Sequence, residues 1–306
     1  MIIDVHSHLG DILNYDGGGL IDRKGVAKEK MFDIISVSEK GLMRTYGLGP
    51  VTFRLTRYWV TRAERARNAT ATLENMARSL DEAGVDAAVC LPIEPYVGFD
   101  DLDAARKKDK RVLPFTSIDF SSTVDFRKKL TGDVHRGALG LKLHPIIQKI
   151  PLDDRRVMEA LQCFEPLNKP VLTHAGISSY YLGNDRSRNI PEYGSIRYTE
   201  EMVRTFPKIR FIIGHSGLFQ SAEVMKRLRG CRNIWMDTSF QSPFIIRKLV
   251  KTFGEDRVMY ASDWPYGNRV PALRAVRVAC RGDARLEERI LSINAKEILG
   301  INTRPG

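Results

Sequence analysis

The sequence predicts an α/β protein, a (β/α)8 TIM barrel with one long insertion after its first strand. Three observations carry that expectation. Eight short apolar runs recur along the 306 residues, amphipathic segments with helix-capping residues separate them, and histidine, lysine and aspartate side chains stand where the runs end. Apolar runs of this length read as strands covered on both faces, and strands that alternate with helices form parallel sheets.

The first run is MIIDVHSH (1–8). Strand alternation places Asp4, His6 and His8 on one side and Ile3, Val5 and Ser7 on the other. The other seven are VDAAVCLP (85–92), VLPFTSIDF (112–120), ALGLKLHP (138–145), PVLTHAG (170–176), IRFIIGHSG (209–217), NIWMDTS (233–239) and RVMYASDWP (257–265). From the second run onward, successive starts lie mostly about 25 to 40 residues apart, the length of a βα unit. Between them, Leu73, Met76, Ala77, Leu80 and Ala83 follow helical spacing, with Thr72 as the expected N-cap and Gly84 as the stop. Ser221 is expected to cap the helix SAEVMKRL in the same way.

The repeat is broken once. Residues 10 to about 70 separate the first strand from its helix, far more than an ordinary loop, so one barrel domain over 1–306 is expected to carry an insertion at about 10–70. A connection leaving the C-terminal end of a barrel strand starts beside the active site, which makes the insertion a lid or a subunit contact. A second long loop (177–198) leaves the fifth strand on the same side.

Composition narrows the class. With 43% hydrophobic and 28% charged residues the chain suits a globular protein with a large core. No apolar run approaches the roughly 20 residues that cross a bilayer, and the N-terminus runs straight into a strand, so no membrane partner and a cytoplasmic location are expected. Cys90, Cys163, Cys231 and Cys280 are widely spaced without a CxxC pair, as free thiols would be. The net charge of +11 admits a nucleic acid, an acidic substrate or a basic surface. Its positive residues concentrate in 54–67 and 106–111; the second reads as a solvated helix end, and the first as a helix with Leu55, Tyr58, Trp59 and Arg62 on one face. A nucleic-acid partner is therefore not expected.

The residues capable of chemistry fall at comparable places. His6 and His8 end the first strand, Lys142 and His144 the fourth, His174 the fifth, His215 the sixth and Asp263 the eighth, leaving only His135 of the six histidines elsewhere. In a closed parallel barrel these side chains converge at one mouth. An unpaired Lys142 ammonium is costly there and must be paired, neutralised or modified. Imidazoles with a carboxylate suit zinc, manganese or iron, and a metal-bound water beside an aspartate hydrolyses an ester, amide or lactone. The same ion can hold a phenol or enol oxygen while an acid protonates the carbon that loses carbon dioxide.

DVHSH, GLKLHP, THAG, IIGHSG, YASDWP and the closing ILSINAKEILG together resemble the amidohydrolase superfamily, in its amidohydrolase-related (amidohydrolase 2) branch. That branch includes aminocarboxymuconate-semialdehyde decarboxylase, resorcylate-type decarboxylases and lactone hydrolases. The resemblance implies His6, His8, His174 and Asp263 as metal ligands, with Asp263 also the proton carrier. It implies His215 as a catalytic acid or oxyanion stabiliser, or a ligand to a second metal. Lys142 stands where binuclear members carry a carboxylated lysine, and His144 on the same face could touch substrate or metal. TatD-like nucleases share the barrel but have glutamate where this chain has Lys142.

The expectation is a metal-dependent hydrolase, zinc first among the ions, cleaving an ester, lactone or amide bond in a small carboxylated substrate. Non-oxidative decarboxylation is the alternative; a TatD-like nuclease or a silent binding module stands further off. Arg186 and Arg188, in the loop after the fifth strand, are the expected substrate-binding cations, and the insertion together with the resemblance suggests a homo-oligomer, a dimer.

Overall fold

The computed structural model describes residues 1–41 and 49–301. Each apolar run contains a strand: β1 (Ile3–Ser7), β2 (Ala87–Cys90), β3 (Val112–Pro114), β4 (Leu141–Leu143), β5 (Val171–His174), β6 (Phe211–Gly214), β7 (Ile234–Asp237) and β8 (Val258–Met259). The first three pair in parallel in chain order, as do the last five. Backbone hydrogen bonds continue across both gaps. Between β3 and β4 the Lys142 N–H donates to the Thr116 carbonyl at 2.7 Å; between β8 and β1 the Val5 N–H donates to Tyr260 at 3.1 Å and the Asp263 N–H to His6 at 2.8 Å. The strands form a ring inside a layer of helices.

Two apolar layers follow from the alternation. Ile3, Val5, Val89, Phe115, Leu172, Ile212 and Met259 fill the barrel, plugged at one end by Ala295, Ile298 and Leu299 of the closing helix Asn294–Leu299. Leu141, Leu143, Val171, Phe211 and Ile213 face outward into the helix layer. Gly140 leaves room for this filling, since a Cβ there would lie 2.3 Å from the Phe115 ring. The helix Leu73–Ala83 has the expected ends: Thr72 accepts from the Asn75 N–H at 3.1 Å and Gly84 turns at φ 63°. Ser221 does not cap. It is the first residue of the helix Ser221–Leu228, entered from the tight turn His215–Gln220, and no side chain caps that end.

Strict alternation fails in β1. Asp4 pairs with Ala88 and Ser7 with Cys90, so β1 carries one residue more than its partner between these points. The extra residue turns Asp4 away from the histidines. Its carboxylate accepts from Ser7 Oγ (2.9 Å), Ser262 Oγ (2.6 Å) and Arg269 Nε (3.0 Å), all buried. The slip is what allows Val5 to fill the barrel while His6 and His8 reach its mouth.

Within the insertion, Asp33 caps the helix Ile34–Lys40, and the helix Gly49–Asn68 lies over the mouth. Thr61 Oγ1 donates to the Ser179 carbonyl at 2.7 Å and Arg65 to the Tyr180 carbonyl at 3.3 Å. Residues 42–48, also in the predicted insertion, lie outside the described residues. Leu55, Tyr58, Trp59 and Arg62 do share one face of the helix, but that face is the exposed one, with Leu55 71% and Tyr58 51% accessible. The buried residues of this helix are mostly polar, Thr61, Glu64, Arg67 and Asn68, with Ala63 among them. Arg67 bonds Asp33, Glu39 and the Tyr266 carbonyl, so part of the basic run is spent inside the protein. All four cysteines are free. Among the described residues no helix is long and apolar enough to cross a membrane.

Candidate active site

Period-two alternation on the inner face delivers Lys142 and His144 from β4, His174 from β5 and Asp263 from the segment after β8 to the same end of the barrel. Gly214 closes β6 without a side chain, since a Cβ there would sit 2.6 Å from the Thr173 carbonyl and 3.4 Å from the His6 ring. His215 and Asp263 both hold positive φ, 54° and 59°, as do Ser216, Leu218 and Phe240 nearby. Such conformations cost on the order of 1 kcal/mol each and persist where the surroundings enforce them.

The histidines meet in one cluster. The His6 ring stacks on His215 at 4.6 Å, His174 lies 5.1 Å from His215, and His144 stacks on His174 at 4.2 Å. Their outer nitrogens are taken by the protein. His6 Nδ1 donates to Asp237 (2.8 Å), His8 Nδ1 to the Leu91 carbonyl (2.8 Å) and His174 Nε2 to the Gly176 carbonyl (2.9 Å). Each partner accepts only, so the proton sits on the outer nitrogen and the inner one presents a lone pair. The inner nitrogens of His6 and His8 face Asp263, whose Oδ1 lies 3.3 Å from His6 Nε2 and 3.4 Å from His8 Nε2. His174 Nδ1 and Asp263 Oδ1 are buried without a hydrogen-bond partner. Converging lone pairs and an orphaned carboxylate oxygen fit a divalent cation.

His144 is arranged differently. Its Nδ1 accepts from the Ile147 N–H at 3.3 Å, so Nε2 carries the proton and points it at the Tyr180 hydroxyl, 3.2 Å away. It offers a donor rather than a ligand atom. His215 Nδ1 donates to Ser239 Oγ (2.8 Å), which donates to Asp237 (2.6 Å), leaving the His215 Nε2 unprotonated.

Burial sets the electrostatics. It pushes His6, His8, His144 and His215 well below the usual imidazole range and takes His174 down to about 3, so all five rings are neutral at pH 7. The same desolvation lowers Lys142 to about 8 against the attraction of Asp263 and Asp237, and raises Asp263 well above the carboxylate range. Lys142 Nζ lies 3.3 Å from His6 Nε2 with no exposure.

Arg186 and Arg188 do not enter this cavity. The Arg188 guanidinium stacks on the Tyr181 ring at 4.1 Å, and Arg186 lines a groove further out. Asp237 escaped the sequence reading, although it ends an apolar run just where the other strands place histidines. Its Oδ1 also accepts the His215 backbone N–H at 2.8 Å, so one carboxylate orients both rings. Glu64 was hidden in a basic run; it lines the cavity with its Oε2 unpartnered.

Burial raises Glu64 to about 8, against the pull of Arg67. The unfolded chain loses this proton near pH 4.5 and the folded chain only near 8, so stability falls through that interval as pH rises. Glu64→Gln removes the dependence. The variant's melting temperature is expected to gain on the parent's by several degrees between pH 5 and 8; an offset that stays constant with pH would contradict the buried neutral acid.

Solved structures share this architecture. An uncharacterized TIM-barrel protein of Bordetella bronchiseptica superposes with a TM-score of 0.65 at 18% identity, covering 98% of both chains. A 5-carboxyvanillate decarboxylase of Novosphingobium aromaticivorans, with bound manganese and 3-methoxy-4-hydroxy-5-nitrobenzoic acid, gives 0.64 at 16% identity over 98% of this chain and 97% of its own. A probable 2-pyrone-4,6-dicarboxylic acid hydrolase of Acinetobacter baumannii with citric acid bound gives 0.57 at 13% over 98% and 99%. No curated protein matches the chain. The Amidohydrolase family model matches residues 3–301, nearly the whole barrel from β1 through the closing helix, and the chain belongs to that family of enzymes.

Proposed function

We propose that the protein is a metal-dependent, non-oxidative decarboxylase of a small hydroxylated carboxylate. The observation that carries the reading is the set of inward lone pairs on His6, His8 and His174 at the mouth where Asp263 Oδ1 lies buried without a hydrogen-bond partner, 3.3 Å from His6 Nε2 and 3.4 Å from His8 Nε2. His6, His8, His174 and Asp263 hold one divalent ion, zinc or manganese. When bound, that ion supplies positive charge for the substrate's phenol and carboxylate oxygens.

The chain's own residues do the rest. Lys142, buried beside His6, offsets the negative charge that the substrate brings into a closed site. Asp263 delivers a proton to the carbon that bears the carboxylate; the bond to that carboxylate then breaks, its electron pair returns to the carbon, and carbon dioxide leaves. Asp237 and Ser239 fix His215 with its Nε2 unprotonated, a lone pair that accepts a hydrogen bond from the substrate's hydroxyl. His144 donates to the Tyr180 hydroxyl, which leaves the Tyr180 O–H free to donate to the substrate. The manganese-bound 5-carboxyvanillate decarboxylase among the similar structures supports this direction.

Hydrolysis is the second reading. It uses the same aspartate as a base toward water, and the pyrone dicarboxylic acid hydrolase favours it. Metal-loaded protein offered 5-carboxyvanillate and related hydroxybenzoates should release carbon dioxide while leaving 2-pyrone-4,6-dicarboxylate intact. Ring opening of the pyrone without carbon dioxide release would overturn the decarboxylase in favour of the hydrolase.

A further inference from the structure

The cavity at the histidine cluster has a free volume of only about 20 Å³. A water-sized group needs roughly 10 to 15 Å³ on the same measure, so little more than the reacting group fits there. Beside it lies a second chamber of about 180 Å³. The two share Glu64, Ser178, Leu218 and Phe240 as common wall. Beyond that waist the chamber is mainly apolar, walled by Ile34, Ile35, Phe53 and Val60 of the insertion together with Phe219. Leu218 and Phe240 stand at the waist with φ of 51° and 60°. Two non-glycine residues held in the left-handed region, on the connections that follow the neighbouring strands β6 and β7, mark a place where the fold enforces side-chain position.

We infer that the substrate has two parts, a polar head at the histidine cluster and an apolar arm, alkyl or aryl, lodged in the chamber beneath the insertion. The inference rests on the metal-centred reading above and adds the class of substrate. The small inner cavity requires a substrate of more than a few atoms to extend past the waist, and the chamber has room for roughly ten heavy atoms. Glu64, on the waist with an unpartnered oxygen, faces the root of the arm, where a hydroxyl or amino substituent would meet it.

The test uses straight-chain alkyl hydroxamates, whose head binds a metal ion whichever reaction the protein catalyses. Binding of aceto-, butano-, hexano- and octanohydroxamate to the metal-loaded protein is measured by calorimetry. Affinity should rise about threefold for each methylene that enters the chamber and then level off. Val60→Phe, and independently Ile34→Phe, should flatten the series while acetohydroxamate binds as before. A flat series in the unmodified protein, with acetohydroxamate bound, overturns the two-part substrate and leaves the metal site standing. Failure of acetohydroxamate itself to bind overturns both, and that first compound tells the two failures apart.

Discussion

Asp263→Asn is expected to lower kcat for decarboxylation by about 10³-fold or more, within the usual range for removing a positioned proton donor. Asparagine keeps the shape of the side chain and one oxygen facing His6 and His8, but it cannot carry the proton to the reacting carbon. The two effects separate experimentally. Metal content should fall less than activity, because the three imidazoles and their outer partners Asp237, Leu91 and Gly176 are untouched. Single-turnover rates normalised to bound metal are the measurement. A variant within about tenfold of the parent on that scale would move the proton transfer to another group, with His215 first in line.

The second large effect concerns stability. Arg269 is 1% exposed, donates Nε to Asp4 at 3.0 Å and Nη2 to Ser7 Oγ at 2.8 Å, and lies over the Trp264 ring at 5.0 Å. This pair ties the start of β1 to the segment after β8 that carries Asp263, so it also positions the site. Asp4→Ala strands a buried guanidinium and should cost about 3 to 5 kcal/mol. That corresponds to a drop in Tm on the order of 10 °C for a chain of this size. Adding Arg269→Met should restore part of the loss, because no isolated charge then remains. A single variant as stable as the parent would show that the pair contributes nothing to the closure of the barrel.

What could be read from the sequence depended on how local the physics was. The strands and the Thr72–Gly84 helix follow from neighbours in the chain: apolar runs, a cap, a residue free to adopt positive φ. The cluster was legible because each inward position follows by twos from its strand, as Lys142 to His144 and Leu172 to His174 do. Asp4 was misplaced because one extra residue in β1 reverses the parity, and nothing in MIIDVHSH signals a bulge that the partner strand creates.

The helix of the insertion shows a different limit. Its period was legible and its side was not, since the rule that apolar faces turn inward presumes an apolar support. Here the support is polar: Asp33, Glu39, the Ser179 carbonyl and the Tyr266 carbonyl come from distant parts of the chain, and they select Thr61 and Arg67. Asp237 and Glu64 went unrecognised for the same reason. Their roles are set by His6, His215 and two cavities that exist only once the ring has closed. Arg186 and Arg188 were named for their charge, and loop geometry carried them elsewhere.

The most direct test of a metal-centred site is metal content per chain, measured by plasma mass spectrometry on protein reconstituted with zinc or manganese and freed of excess ion. The account predicts about one equivalent in the parent and none in His6→Ala/His8→Ala, with circular dichroism showing the double variant folded. No bound metal in the parent, or the same content in both proteins, would contradict it.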